Sequence, residues 1–219
     1  MQHPTRMCSL SSTERHSHQD KAAENLWHDD QILQANVPVP GPAVPSVELH
    51  RDNVLTFAPL QAKDYELRQY ETAKWVSTVI RGESQKEAMR QGFWKLFHYI
   101  QGKNERETKI DMTVPVTCLV KSGCTDFKIS FFVPFEHQDS PPQPTDSDVF
   151  VEERKAAAIF VRSFGGFASP EKYAEEAEVL ARTLRNRGQP FHEDFFYTAG
   201  YDSPFKLFNR HNEVWYFKK

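Results

Sequence analysis

The stretch Ser84–Gly102, SQKEAMRQGFWKLFHYIQG, predicts a long helix with an unusually wide apolar face. At about 100° per residue, one broad face collects Ala88, Met89, Gly92, Leu96, Tyr99 and Ile100. Phe93 and Phe97 lie at the edge of this face, and Trp94 and Arg90 come just beyond it. A strip of large rings beside a cation suits a flat apolar ligand with an acidic fringe. The alternative is that a loop or strand covers the strip, since aromatic residues at helical spacing usually belong to a core.

A second predicted helix, SPEKYAEEAEVLARTLRNRG at 169–188, provides an internal comparison. Ser169 and Pro170 form an N-cap and first-turn pair, and Gly188 with Pro190 ends the helix. Its apolar residues make only a narrow stripe of Tyr173, Ala177, Leu180 and Leu184. That pattern is typical of a purely structural helix, so the extra aromatic residues of the first helix mark it as the candidate binding surface.

The order strand, helix, strand, strand occurs twice, in halves of about 47–136 and 149–219 joined by the polar connector 137–148. The two copies share little sequence identity, but the repeated order favours one pseudo-symmetric α+β domain over two unrelated ones. Residues 1–46 contain many polar residues and end in VPVPGPAVP. This composition predicts a disordered tail followed by a stiff Pro-rich linker.

Composition and missing motifs exclude several classes of protein. The chain of 219 residues is 39% hydrophobic, and its 27 basic and 30 acidic residues give a formal charge of −3, which disfavours nucleic-acid binding. The sequence has no run of 18 apolar residues and no apolar region behind the first charges, so we expect no membrane span and a cytosolic protein. It also lacks a nucleophile elbow, a phosphate loop and a His-Glu-x-x-His motif, so we do not expect an enzyme.

Six ordered blocks resemble the SOUL heme-binding family: YELRQYETAKWVST, HYIQGKN, KIDMTVPVT, SDVFVEERKAAAIFVRSFGGF, YTAGYDSP and NEVW. The resemblance covers about residue 47 to the C-terminus. It implies two repeated halves that form a twisted antiparallel β-barrel flanked by two helices, similar to bacterial effector-binding domains. It also implies binding of heme or another tetrapyrrole in the cytosol, as a carrier or buffer. The binding would be non-covalent, because the chain has no Cys-x-x-Cys-His run.

The porphyrin surface proposed for the family includes an Arg on the first helix and a Lys before the final Asn-Glu-Val-Trp. These fall on Arg90 and Lys206, so the resemblance and the aromatic strip coincide. We therefore expect Met89, Arg90, Phe93, Phe97 and Lys206 to bind the cofactor. The alternative is a protein-interaction module whose exposed aromatic helix face docks a partner helix or a regulator at mitochondria, and so affects mitochondrial permeability or cell death.

Iron ligation is a separate question, because Gln69 stands where some members of the family have a His that has been considered as an iron ligand. An amide does not replace imidazole on heme iron. We expect a His installed at position 69 to ligate part of the bound heme. In the natural sequence His98, which is the only His on the first helix, is the candidate metal ligand; the alternatives are that bound iron keeps water or takes a tail histidine such as His16 or His18.

Overall fold

The computed structural model describes residues 64–203 and 206–219, together with the backbone of 54–55. The helices are α1 Gln85–Ile100, α2 Phe135–Gln138 and α3 Pro170–Asn186. The strands are β1 Val54–Leu55, β2 Glu66–Tyr70, β3 Ala73–Arg81, β4 Val116–Lys121, β5 Asp126–Phe132, β6 Val149–Arg154, β7 Ala157–Phe164, β8 Phe195–Gly200 and β9 Asn212–Phe217. The predicted tail 1–46 and the domain boundary at 47 lie outside the described residues.

The strands form one antiparallel sheet in the order β1-β2-β7-β9-β8-β4-β5-β3-β6. Apart from β1, the sheet reads the same from either end once each strand is replaced by its counterpart in the other half. The counterparts are β2 and β6, β7 and β3, β9 and β5, and β8 and β4. The predicted α+β fold with a pseudo-two-fold repeat is therefore confirmed. Each half gives one strand to the other half, since β2 pairs with β7 and β6 pairs with β3. Among the described strands the sheet stays open as a half-barrel, with β1 and β6 at its edges.

Helix α1 begins where the side chain of Ser84 accepts a hydrogen bond from the backbone N–H of Glu87. It packs on β3 and β5, where the buried side chains of Val76, Ile129 and Phe131 form the core of the first half. The helix approaches β5 closely at Gly92, where an added Cβ would lie only 2.8 Å from Ile129. Five of the six residues of the predicted apolar face are buried, and Met89 lies half-buried at the edge of the face.

Helix α3 covers the second half in the same way and begins at Ser169, whose side chain accepts from the N–H of Lys172. Its inner face buries Ala177, Leu180, Ala181 and Leu184. The predicted structural role is therefore confirmed. The pattern did not indicate that Glu176 is also buried on this helix, where it pairs with Arg162 at 2.6 Å. None of the helices in the described part of the chain is long and apolar enough to cross a membrane.

The face of the sheet opposite the helices is lined by a third apolar cluster and by charged groups. Its buried members are Ile159, Val161, Tyr197, Ala199 and Trp215. Two ion pairs cross this inner face, Arg68 with Glu213 at 3.0 Å and Lys128 with Glu152 at 2.6 Å. The fold thus presents two distinct surfaces, the outer one along α1 and the inner one across the sheet.

Candidate functional site

The α1 strip, defined as Met89, Phe93, Trp94 and Phe97, is an ordered cluster on the outer surface. The rings of Phe93 and Phe97 stack with centroids 5.9 Å apart and planes inclined by 14°. Phe93 also makes an edge contact with Phe131 of β5 at 5.4 Å, and Trp94 makes one with Phe97 at 5.5 Å. All four residues are half-buried, and Met89, Phe93 and Phe97 pack against the core of the first half while part of their surface stays accessible. The structure therefore agrees in part with both interpretations of the sequence pattern, a ligand-binding surface and a strip that belongs to the core.

Arg90 borders the strip but already has an acidic partner. Its guanidinium donates to both carboxylate oxygens of Glu87, with Nε–O distances of 2.9 and 3.1 Å, and Gln91 donates to the same carboxylate at 2.9 Å. The hydrogen bond from Arg90, and then that from Gln91, lower the pKa of Glu87 to about 2. Glu87 is therefore ionised at neutral pH and competes with any acidic ligand for Arg90. The sequence reasoning missed this competitor, although the three-residue spacing was visible.

Lys206 lies in the connection between β8 and β9, where its Nζ bonds the carboxylate of Asp202. The other oxygen of Asp202 accepts from the backbone N–H of His211. Glu213 holds both ends of this segment, because the Tyr201 hydroxyl donates to it at 2.8 Å and the His211 ring bonds it at 2.7 Å. Lys206 is thus presented on an anchored loop, and like Arg90 it is already paired.

Three large apolar residues near Lys206 were not found from the sequence. Phe208 is 79% exposed, and Leu207 and Phe167 are also largely exposed. The guanidinium of Arg210 lies 4.5 Å from the ring centroid of Phe167, which joins the two loops that carry these residues. Irregular loops have no periodicity from which a face can be read, so only the structure shows that this apolar surface adjoins Lys206.

Arg90 and Lys206 have separate acidic partners, Glu87 and Asp202, and Arg90 lies in the N-terminal half of α1. Strand β9, which follows the Lys206 loop, contacts α3 at its first residue, since the Tyr173 hydroxyl donates to the side chain of Asn212 at 3.3 Å. The start of α3 in turn lies near the start of α1. Hydrogen bonds from Ser169 and from its own backbone lower the pKa of Glu171, and the charge of Lys86 contributes to the same shift.

The two candidate positions for iron ligation lie in different environments. His98 is exposed, and its ring centroid is 6.3 Å from that of Trp94. Partial burial and then the charge of Lys103 lower its pKa, so the ring is neutral at pH 7 and keeps a free lone pair. Gln69 lies on β2 opposite Ala158, in the half covered by α3. Strand β2 is not part of the surface around the α1 strip. For heme bound on that strip, the geometry therefore favours no ligation of the iron by a His at position 69.

No group of three or more potential metal ligands occurs within the residues that the structure describes. His98 consequently stands alone as a metal ligand on the helix and stays a prediction. What the arrangement does offer is a half-exposed aromatic surface on α1 with Arg90 at its border. Such a surface can hold a planar apolar molecule that carries acidic groups.

Known proteins are similar to this chain in fold or in sequence. The C-terminal domain of EcmrR superposes with a TM-score of 0.55 at 9% identity, covering 71% of this chain and 96% of that domain, which shows a common fold. Heme-binding protein 2 of Mus musculus is 49% identical over 164 residues, or 73% of this chain and 80% of that protein. Heme-binding protein 1 of Mus musculus is 33% identical over 178 residues, or 79% and 94% of the two chains. The family model described as SOUL heme-binding protein matches residues 53–217, and the chain therefore belongs to the SOUL heme-binding protein family.

Proposed function

We propose that this protein binds heme or a related tetrapyrrole non-covalently on the α1 strip and acts as a cytosolic carrier or buffer. The observation that carries the proposal is the stacked, half-exposed pair Phe93 and Phe97 with Arg90 at its border. The names of the two relatives, both heme-binding proteins, support the same ligand class. The absence of a recognisable catalytic motif supports a binding role rather than an enzymatic one.

The apolar part of the strip supplies most of the affinity. A porphyrin face laid on Met89, Phe93 and Phe97 removes on the order of 300 to 400 Å² of apolar surface from water, which corresponds to roughly 7 to 10 kcal/mol. Association costs at least about 4 kcal/mol of this, and the propionates recover part of it. The resulting affinity lies between about micromolar and nanomolar. Because ring contact dominates, metal-free protoporphyrin binds nearly as well as hemin.

The cations orient the ligand and hold its propionates. Arg90 exchanges part of its pairing with Glu87 for a propionate, and Lys206 does the same with Asp202. Heme iron, when bound, supplies an open coordination position, and His98 is the neutral imidazole on the same helix. The interaction with a mitochondrial partner stays a prediction that no observation favours, since the rings of the α1 strip are only half exposed.

The test is a hemin titration of the full chain, followed through the Soret absorption band. The double variant Arg90→Ala, Lys206→Ala should bind hemin at least about tenfold more weakly, because a charged hydrogen bond contributes about 1.5 to 3 kcal/mol before the competing acids are counted. Lys95→Ala is the matched control, since Lys95 lies on α1 but pairs with Asp148 at 2.6 Å. A folded double variant that keeps wild-type affinity would contradict this placement.

A further inference from the structure

A separate cleft of about 230 Å³ opens on the inner face of the sheet, away from the two long helices. It lies where the β2–β3 connection meets the β6–β7 connection, which are equivalent positions in the two halves. Six aromatic rings line it: Tyr70, Trp75, Phe132, Phe135, Trp215 and Phe217. Such a lining favours a flat aromatic ligand, because stacked and edge contacts between rings add to the free energy of burial.

The cleft wall also contains one guanidinium, that of Arg154. Its side chain is 16% exposed, and its central carbon lies 4.1 Å from the ring centroid of Trp75. The guanidinium donates from Nε to Glu152 at 3.0 Å and from its terminal nitrogens to the hydroxyls of Thr117 and Ser130. These bonds use three of its five N–H groups. The other two have no acceptor among the residues that the structure describes, so they can donate to a carboxylate.

The charges around Arg154 do not balance. Lys128 bonds the same carboxylate of Glu152 at 2.6 Å, so two cations share one anion. Burial alone would raise the pKa of Glu152, but Arg154 and Lys128 together lower it, so two basic groups face one ionised carboxylate. At the rim, the exposed Lys155 is paired with Glu153, and the exposed carboxylate of Glu71 also lines the cleft, where solvent screens it more than the buried charges. The half-buried surplus charge is poorly screened by solvent and therefore selects for an anion.

We infer that the inner-face cleft is a second binding site, for a flat aromatic monoanion of one or two fused rings, with Arg154 as the contact for its carboxylate. The cleft is smaller than the pockets of about 300 to 1,000 Å³ that hold drug-sized ligands. It therefore excludes a porphyrin, and this site is independent of the α1 strip.

The probe is 2-naphthoate, titrated into the full chain by calorimetry, with the indole N–H signals of Trp75, Trp94 and Trp215 followed by NMR. Binding should shift the signals of Trp75 and Trp215, which line the cleft, and leave that of Trp94 on α1 unchanged. The neutral analogue 2-naphthylmethanol should bind about tenfold or more weakly, because it lacks the charged hydrogen bond.

Three variants sharpen the test. Ala157→Phe fills the cleft from β7 and should abolish naphthoate binding while leaving hemin binding intact, which separates the two sites. Arg154→Met should lose the preference for the anion over the alcohol. Lys155→Met is the matched control, since it removes an exposed rim cation and should change affinity less than about twofold.

Circular dichroism shows whether each variant folds. If Arg154→Met does not fold, Ala157→Phe alone tests the inference. The inference is overturned by a folded wild-type protein that does not bind naphthoate at millimolar concentration. Equal binding of 2-naphthylmethylammonium, unchanged binding by folded Ala157→Phe, or a shift at Trp94 in place of Trp75 overturns it as well.

Discussion

The strongest single prediction concerns Glu213, which anchors the loop that carries Lys206. Its carboxylate is 1% exposed and accepts hydrogen bonds of 2.7 to 3.4 Å from five donors, on Arg68, Ser163, Tyr201, His211 and Trp215. In Glu213→Gln, one oxygen becomes an N–H₂ group that faces at least two of these donors. The substitution therefore removes the partner of Arg68 and creates a clash between donors.

Two lines of reasoning give the magnitude. Breaking a buried ion pair by removing one partner costs about 3 to 5 kcal/mol. Burial alone would raise the pKa of Glu213, but the bond from His211 and the charge of Arg68, with further bonds from Trp215 and Tyr201, lower it to about 2. The usual Glu value is about 4.3, so the ionised carboxylate contributes about 3 kcal/mol to folding. Because the folded pKa is depressed, this contribution is complete above about pH 4.3 and is lost as the pH falls through 2.

Urea unfolding at pH 7 and at lower pH measures the effect. Glu213→Gln should lose about 3 to 5 kcal/mol at pH 7, and the difference from wild type should shrink towards pH 2. Glu66→Gln is the matched control, because Glu66 pairs with the same Arg68 at 2.8 Å but is 57% exposed, and it should lose less than about 1 kcal/mol. Equal losses in the two variants would refute the reasoning, as would a Glu213→Gln loss that stays constant at every pH at which both proteins fold.

Three further predictions concern helix α1 and the candidate position for iron ligation on β2. Glu87→Gln releases Arg90 from its competitor, so hemin affinity in a Soret titration should rise by up to about fivefold, which is the worth of an exposed ion pair; an unchanged affinity would argue against competition. Gly92→Ala should lower the urea midpoint, because overpacking on Ile129 costs about 1 to 3 kcal/mol and outweighs a gain of at most about 1 kcal/mol in helix propensity; a stabilised variant would contradict the close approach. Gln69→His should leave the resonance Raman spectrum of bound hemin unchanged, since β2 lies in the half covered by α3; a new low-spin species would place the porphyrin elsewhere.

Local features of α1 and α3 could be predicted from the sequence because they depend on neighbouring residues. The caps at Ser84 and Ser169, the buried face of α1 and the narrow stripe of α3 all follow from helical periodicity and from hydrogen bonding within one turn. The pairing of Arg90 with Glu87 belongs to the same class. This pair was missed because Arg90 was assigned to an acidic group of the ligand, and pairing with Glu87, three residues earlier, was not considered.

Contacts between distant parts of the chain could not be predicted in this way. Arg68 and Glu213 are 145 residues apart, and they meet only because β2 crosses to pair with β7, which pairs with β9. The repeated element order is compatible with two halves that each keep their own strands, so the exchange of β2 and β6 is visible only in the structure. The inner-face cleft depends on that exchange, since the connections next to the two crossing strands line it.

The exchange also explains where the charges of the inner face lie. Arg68 stands opposite Ile159, which stands opposite Phe217, and in the other half Glu152, Trp75 and Phe132 repeat this register. The pseudo-two-fold therefore relates Arg68 to Glu152 and Lys128 to Glu213. Both cations come from the first half and both acids from the second.

Two copies of one half, paired by the same symmetry, would set cation against cation or acid against acid on the buried face of the sheet. Like charges in a poorly solvated position destabilise such an assembly, so the charge pattern favours pairing of the first half with the second. This difference in charge between the halves also gives the surroundings of Glu213 and of Glu152 different roles on the inner face. The deeply buried acid Glu213 holds the loop of Lys206, while Arg154, an additional cation beside Glu152, leaves the surplus positive charge at the aromatic cleft.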